Sequence, residues 1–379
     1  MAGLYIHIPF CRRRCNYCDF YFVTNSALID QFLAALSHEL TSRAHLLTNE
    51  LIETIYFGGG TPSMLSAAQF DFILTLASKT FRVSPTAELT LEANPEDVTA
   101  TYLTDLARVG INRISLGVQS FNDAKLKLLT REHNGAQSRK TVELAKHRFN
   151  NVSVDLIFGT DGETLNDWTT ELQTAVALQP EHLSTYSLTV EPRTLLDKLI
   201  RRGKRQPPME SLQAEMFLVA MEFLRHNAYE HYEVSNFGKP NFHSRHNSAY
   251  WNRTPYLGVG PSAHSFVKTI DGEIRFANTP SLKDYLAAPA DSIQFKERLS
   301  EEDIFNEGVL LGLRQAKGID VEDLRKKFNF AVSLSQLTAL VEQGLLTKES
   351  SWVRLTDKGF TLADEIAAEL LAASHFTFA

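Results

Sequence analysis

All three cysteines of the 379-residue chain fall within eight residues, inside "YIHIPFCRRRCNYCDF" (5–20). Cys11, Cys15 and Cys18 are spaced C-x3-C-x2-C and follow an apolar run. Three thiols cannot all pair as disulfides, and a tight group of them in a reducing compartment signals metal binding or redox chemistry. Two metal readings are open. A structural zinc ion takes four protein ligands, and His7 would have to supply the fourth. A [4Fe–4S] cluster takes thiolates at short spacing. Three of them would leave one iron with an open position for a small molecule, and the spacing favours this reading. Arg12, Arg13 and Arg14 place positive charge among the thiols, which should lower their pKa and offset the charge of a thiolate-bound cluster.

Further candidates sit where apolar segments end. Strand-like patterns, rich in β-branched and aromatic residues, occur at 4–8, 54–60, 88–94, 111–119, 152–159 and 182–190. Amphipathic helices are expected between them, at 26–46 with Ser26 as N-cap and at 98–109 with Gly110 after its end; another follows at 210–227. Six βα units in succession imply a parallel sheet, open or closed into a barrel, with functional residues at the C-terminal edge of the strands. "GGGTP" (58–62) ends the second strand, Glu92 the third and Gln119 the fourth, and Asp155 lies in or near the end of the fifth. Taken singly, Gly-Gly-Gly is a turn, and Glu92 or Arg131 a member of a surface ion pair. Asp155, between Val154 and Leu156 on a buried strand, is harder to read as structural, because a buried carboxylate without partners is costly.

The cysteine motif after the first strand, with Tyr17 just before the last cysteine, and "GGGTP" after the second, resembles the radical S-adenosylmethionine (SAM) superfamily. "LYIHIPFC", "IYFGGGTPS", "LEANPE", "NRISLGVQSF" and "VDLIFG" resemble one branch of it over essentially the whole chain. That branch holds oxygen-independent coproporphyrinogen III dehydrogenase and the HemW family of heme chaperones. The resemblance implies an α/β fold, a partial (β/α)6 radical SAM barrel. It implies that Cys11, Cys15 and Cys18 hold the cluster, and that Tyr5, Gly59, Gly60, Thr61, Glu92, Gln119, Arg131 and Asp155 contact SAM. In the superfamily the reduced cluster, supplied by a donor such as flavodoxin or ferredoxin, splits SAM to methionine and a 5'-deoxyadenosyl radical. The residue types suit these roles: the carboxylates an ammonium or ribose hydroxyl, Arg131 a carboxylate, and Gln119 both a donor and an acceptor.

Within the branch two features point away from the dehydrogenase. It has a fourth cysteine two residues after the third, where this chain has Phe20, and an extension before the first strand, which here begins near residue 4. "HNSAYW" (246–251) matches an H-N-x-x-Y-W motif associated with HemW-like proteins. By that resemblance His246 ligates heme iron, and Asn247, Tyr250 and Trp251 line the heme; a hydrogen-bonded histidine in an aromatic core is the plainer alternative. His231, His243 and His264 are competing ligands. After "DLIFG" the branch usually continues Leu-Pro, whereas this chain has Thr160-Asp161-Gly162. The leading reading is a HemW-like chaperone that binds a cluster, SAM and heme and passes heme to an acceptor protein, with SAM cleavage in the working cycle left open. The others are the dehydrogenase, which oxidatively decarboxylates propionates to vinyls, and an RNA-linked radical SAM protein.

Three segments are expected: a core barrel (1–228), an extension carrying the HNxxYW motif (229–299), and a C-terminal, mostly helical unit (300–379). "SLSQLTALVEQGLLTKESSWVRLTDKG" (333–359) has the helix–strand–turn–strand order of a winged helix. The net charge of −7 provides no global attraction for nucleic acid or anionic membrane. The run "RRGKR" (201–205) reads as a solvated loop. Neither a membrane span nor a secretory signal is expected, so a cytoplasmic location is.

Overall fold

The computed structural model describes residues 1–328 and 330–372. Strands β1 (Ala2–Ile8), β2 (Leu51–Gly59), β3 (Arg82–Ala93), β4 (Arg113–Gln119), β5 (Val152–Phe158) and β6 (His182–Ser187) lie side by side in chain order. Every neighbouring pair among them is parallel. The crossovers carry α1 (Ile29–Ser42), α2 (Ala67–Thr80), α3 (Ala100–Arg108), α4 (Asp123–Leu128), α5 (Gly135–Arg148) and α6 (Leu165–Ala177). This is the partial (β/α)6 barrel expected.

Strand alternation explains how the barrel carries a site. Leu4, Ile6, Ile8, Ile55, Phe57, Leu91, Ile114, Leu116, Val154 and Leu156 are fully buried in the main core. The alternate residues are polar or aromatic, and they meet one another across the strands. Tyr5 adjoins His7, Tyr56 bonds to Glu92, Ser115 to Asp155, and Ser153 to His182. Successive strand residues face opposite sides, so one face packs under the helices and the other makes a polar lumen.

Boundaries moved where local chemistry was misjudged. Asn25 rather than Ser26 makes the capping bond, and it starts a short 3-10 turn before α1. Thr99 caps α3. β3 begins at Arg82, through Pro85, because the β2–β3 register shifts between Ile52 and Thr54 and leaves Pro85 outside the ladder.

After α7 (Leu195–Arg201) and α8 (Glu210–His226), the segment 229–299 extends both edges of the same sheet. β7 (Glu230–Glu233) and β8 (Asn236–Gly238) continue it beyond β6, with β8 antiparallel to β6. After α9 (Arg245–Trp251), β9 (Tyr256–Val259) runs parallel beside β1. β10 (His264–Thr269), β11 (Gly272–Asn278) and β12 (Ile293–Arg298) complete a twelve-stranded sheet. A buried knot ties this extension to α1. Glu39 accepts from Arg43, from Asn278 Nδ2 at 2.7 Å, from the Gly260 N–H at 2.8 Å and from Tyr285 Oη at 2.6 Å, the last on α10 (Leu282–Ala287).

The C-terminal part comprises α11 (Glu301–Leu313), β13 (Ile319–Asp320), α12 (Val321–Lys327), α13 (Leu334–Glu342), β14 (Leu346–Glu349), β15 (Trp352–Leu355), α14 (Asp357–Phe360) and α15 (Ala363–Ala372). Its three strands form a separate small sheet, and Arg225 of α8 meets Asp357 at 2.9 and 3.0 Å. No described helix is long and apolar enough to cross a membrane.

Candidate cluster and cofactor site

A cavity of about 460 Å³ opens at the C-terminal ends of the parallel strands. Cys11, Cys15 and Cys18 line it, together with Gly59, Gly60, Thr61, Glu92, Gln119, Arg131 and Asp155. Residues from five strands and three loops therefore converge. Tyr5 does not line the cavity; it lies deeper in the lumen, sharing a 3.2 Å hydrogen bond with His7.

The cysteine loop is fixed by backbone chemistry. The Cys11 N–H donates to Val23 O at 2.9 Å and the Val23 N–H to Pro9 O at 2.6 Å, closing the loop at its neck. The Gly60 and Thr61 N–H groups donate to Ile8 O and Phe10 O at 2.8 and 2.7 Å. A Cβ on Gly60 would stand 2.8 Å from both of those oxygens, and one on Gly59, at φ +105°, would stand 2.5 Å from the His7 ring. "GGGTP" is glycine-rich because the end of β2 must lie against the chain entering the cysteine loop. On the far side Asn16 Nδ2 donates to Leu128 O at 2.7 Å. Thr61 Oγ1 donates to Cys11 Sγ at 3.3 Å.

The electrostatics differ from the expectation for the arginine triplet. Burial pushes the Cys18 thiol up to about 11 and raises Cys11 as well. The three arginines do not counter this, because they are turned to other partners. Arg12 bonds Asp97, Arg13 pairs with Glu132, and Arg14 lies over the Phe22 ring. The cation that does reach the thiols is Arg131, whose Nη1 lies 3.7 Å from Cys15 Sγ. Arg131 is held by Asn94 Oδ1 at 2.5 Å and Gly117 O at 3.0 Å, and its buried Nε–H has no protein partner.

The donor set fits a cluster better than zinc. His7 has both ring nitrogens engaged, Nε2 with Tyr21 O at 2.9 Å and Nδ1 with Tyr5. Among the described residues, no three His, Cys, Asp or Glu side chains approach closely enough to share one metal ion. A cubane places each thiolate on a different iron, so it does not require such convergence.

The carboxylates are set into the inner wall. Glu92 accepts from Tyr56 Oη at 2.7 Å, and burial pushes its pKa up to about 7. Asp155, also raised by burial, accepts from Ser115 Oγ at 3.1 Å. Gln119, the last residue of β4, has φ +63°, a strained value for a residue with a side chain. Tyr56, Asn94 and Arg113 escaped sequence reasoning. The alternation of polar residues along β2, β3 and β4 was the signal that places them in the lumen.

The HNSAYW residues lie at the opposite end. Ser244 caps α9, which packs where the strands begin, roughly 16 Å from the cavity by strand rise between Thr54 and Gly59. His246 is 1 % exposed. Its Nδ1 bonds Thr54 Oγ1 at 2.7 Å, its Nε2 bonds Tyr250 Oη at 2.8 Å, and burial lowers its pKa to about 3. The ring is therefore neutral, with no nitrogen free for iron in this conformation. The Asn247 N–H is taken by the Ser244 cap, Tyr250 packs on Tyr256, and Trp251 lies beneath Arg314. Instead of facing a porphyrin, the motif closes the base of the barrel.

A parallel half-barrel with three thiols after β1 and a glycine-rich end to β2 defines the radical SAM class. The family model for the Radical SAM superfamily matches residues 5–175, and that for the HemN C-terminal domain matches residues 299–362. Membership of that class implies a [4Fe–4S] cluster and SAM. The chain is 38% identical to the heme chaperone HemW of Lactococcus lactis, over 97% of this chain and 96% of that one. It is 34% identical to the heme chaperone HemW of Bacillus subtilis, over 98% and 99%. The chain belongs to the HemW family. In fold it matches the Escherichia coli coproporphyrinogen III oxidase HemN with a TM-score of 0.85 at 23% identity, covering 99% of this chain and 90% of that one.

Proposed function

We propose that this protein is a heme chaperone that carries a [4Fe–4S] cluster, binds SAM, and binds heme for transfer to an acceptor protein. The observation that carries the reading is end-to-end similarity to curated heme chaperones. Phe20, standing where the dehydrogenase branch has its fourth cysteine, supports it. Cys11, Cys15 and Cys18 hold the cluster, which when bound supplies an electron to the SAM sulfonium after reduction by a donor such as flavodoxin or ferredoxin. Arg131, with its unpartnered Nε–H, takes the SAM carboxylate. Glu92 and Asp155 accept from its ammonium or ribose hydroxyls, and Gln119 both donates and accepts. Gly59, Gly60 and Thr61 bring backbone close to the ligand.

Heme must be received and released, so it requires an accessible face. The cavity mouth provides one: it is lined by Phe20, 66 % exposed, and Tyr186, 41 % exposed, with Phe22 and Leu188 beside them. A flat apolar macrocycle suits that rim. The test is an anaerobic heme titration of the cluster-reconstituted protein, followed by the Soret band. One-to-one saturation is expected, weakened severalfold by Phe20→Ser and unchanged by His246→Ala. Loss of saturable binding in His246→Ala with a normal Phe20→Ser titration would return heme to α9. Unsaturable binding in the unaltered protein, with coproporphyrinogen turnover, would make it a dehydrogenase.

A further inference from the structure

The HNSAYW helix needs a role other than one on an exposed heme face, and its contacts supply it. The His246 ring stacks on Tyr56, with centroids 4.9 Å apart and planes 22° apart. Tyr5 stacks against both rings, 6.2 Å from Tyr56 and 6.4 Å from His246. Tyr56 in turn donates its hydroxyl to Glu92 Oε1. The stack fits because residue 58 is glycine. A Cβ there would stand 2.9 Å from the Tyr56 ring, 3.1 Å from the Tyr5 ring and 3.2 Å from Glu92 Oε1.

His246 is an unusually firm base for this column. Besides its two ring bonds, its backbone N–H donates to Glu88 Oε1 at 3.1 Å. Thr54 and Glu88 come from β2 and β3, the two strands that carry Tyr56 and Glu92. A glutamate has several rotamers to lose on binding a ligand, and one already fixed by a donor loses fewer. The geometry points to His246 as a positioning residue. Through Tyr56, it holds Glu92 in the orientation that receives SAM, so the motif sets SAM affinity and does not ligate heme iron. This rests on Glu92 being a SAM contact, as proposed above.

The experiment uses the cluster-reconstituted full chain under anaerobic conditions. SAM affinity is read by equilibrium dialysis, and the change SAM causes in the EPR spectrum of the reduced cluster is read alongside. Tyr56→Phe keeps the stack and deletes only the donor. It should weaken SAM binding about tenfold, the order of one hydrogen bond to a charged group. His246→Ala should weaken it at least as much and alter the EPR response, and the double variant should be no weaker than the weaker single, because both act along one route. Additive losses would overturn the route through Tyr56. Wild-type affinity in Tyr56→Phe beside weakened binding in Glu92→Gln would overturn the positioning role and leave the SAM site standing. Wild-type affinity in all three variants would remove Glu92 from the site and the reading beneath it. Should His246→Ala fail to fold, Tyr56→Phe decides the matter alone.

Discussion

Glu92 should make the ligand-free protein less stable than it need be, and Glu92→Gln should reveal by how much. Burial raises this carboxyl from 4.5 to about 7. Between those two values the folded side chain keeps a proton that the unfolded one has released. Stability therefore falls as pH rises through that window, and the full penalty is present above pH 7. At about 1.4 kcal/mol per pKa unit the penalty amounts to at most about 3 kcal/mol. Glutamine preserves the acceptor for the Tyr56 hydroxyl and carries no charge to desolvate. If the chain of 379 residues unfolds as one unit, its unfolding entropy near Tm is about 0.8 kcal/mol per degree. The apo Glu92→Gln protein should then melt about 4 °C above the parent at pH 8, and the gap should shrink to about 1 °C at pH 5. Differential scanning calorimetry at the two pH values measures both. A variant less stable than the parent at pH 8, or a difference that does not change with pH, would refute the desolvation argument.

Replacing Cys11, Cys15 or Cys18 by serine should abolish cluster loading, read as iron content, while the far-UV circular dichroism stays that of the parent, because the core packs independently of the thiols. Glu39→Ala should cost about 3–5 kcal/mol, since it strands Arg43 as a buried unpaired charge and removes an acceptor from three other donors. A melting temperature within 1 °C of the parent's would show that the knot does not hold the extension to α1.

The six parallel strands and the cavity residues were legible because they sit at strand ends marked by glycine, proline or a polar residue, where βα topology directs function. Seven of the eight SAM-contact candidates come together around one cavity. Tyr5 lies deeper because its place in the middle of β1 points it into the lumen. His246 was not legible in the same way. A His-Asn-x-x-Tyr-Trp string states which groups are available but not which end of the barrel they face, and that is fixed by Thr54 and Glu88, more than a hundred residues away. The arginine triplet misled for a similar reason. Adjacency in sequence placed three charges beside three thiols, whereas Asp97 and Glu132, brought in by the fold, draw two of them away.

The hydrogen-bonded neck between Pro9–Cys11 and Val23 bears on the life of the protein in the cell. Ordering a backbone residue costs about 1–2 kcal/mol, and here that cost is met when the barrel forms. In a zinc finger it is met only when the metal binds, and removing the metal unfolds the chain. With the loop held by the fold, oxidative loss of a cluster leaves the thiols on a standing scaffold. Such a protein can be refilled by assembly machinery, and exposure to oxygen becomes a matter of repair instead of degradation and resynthesis.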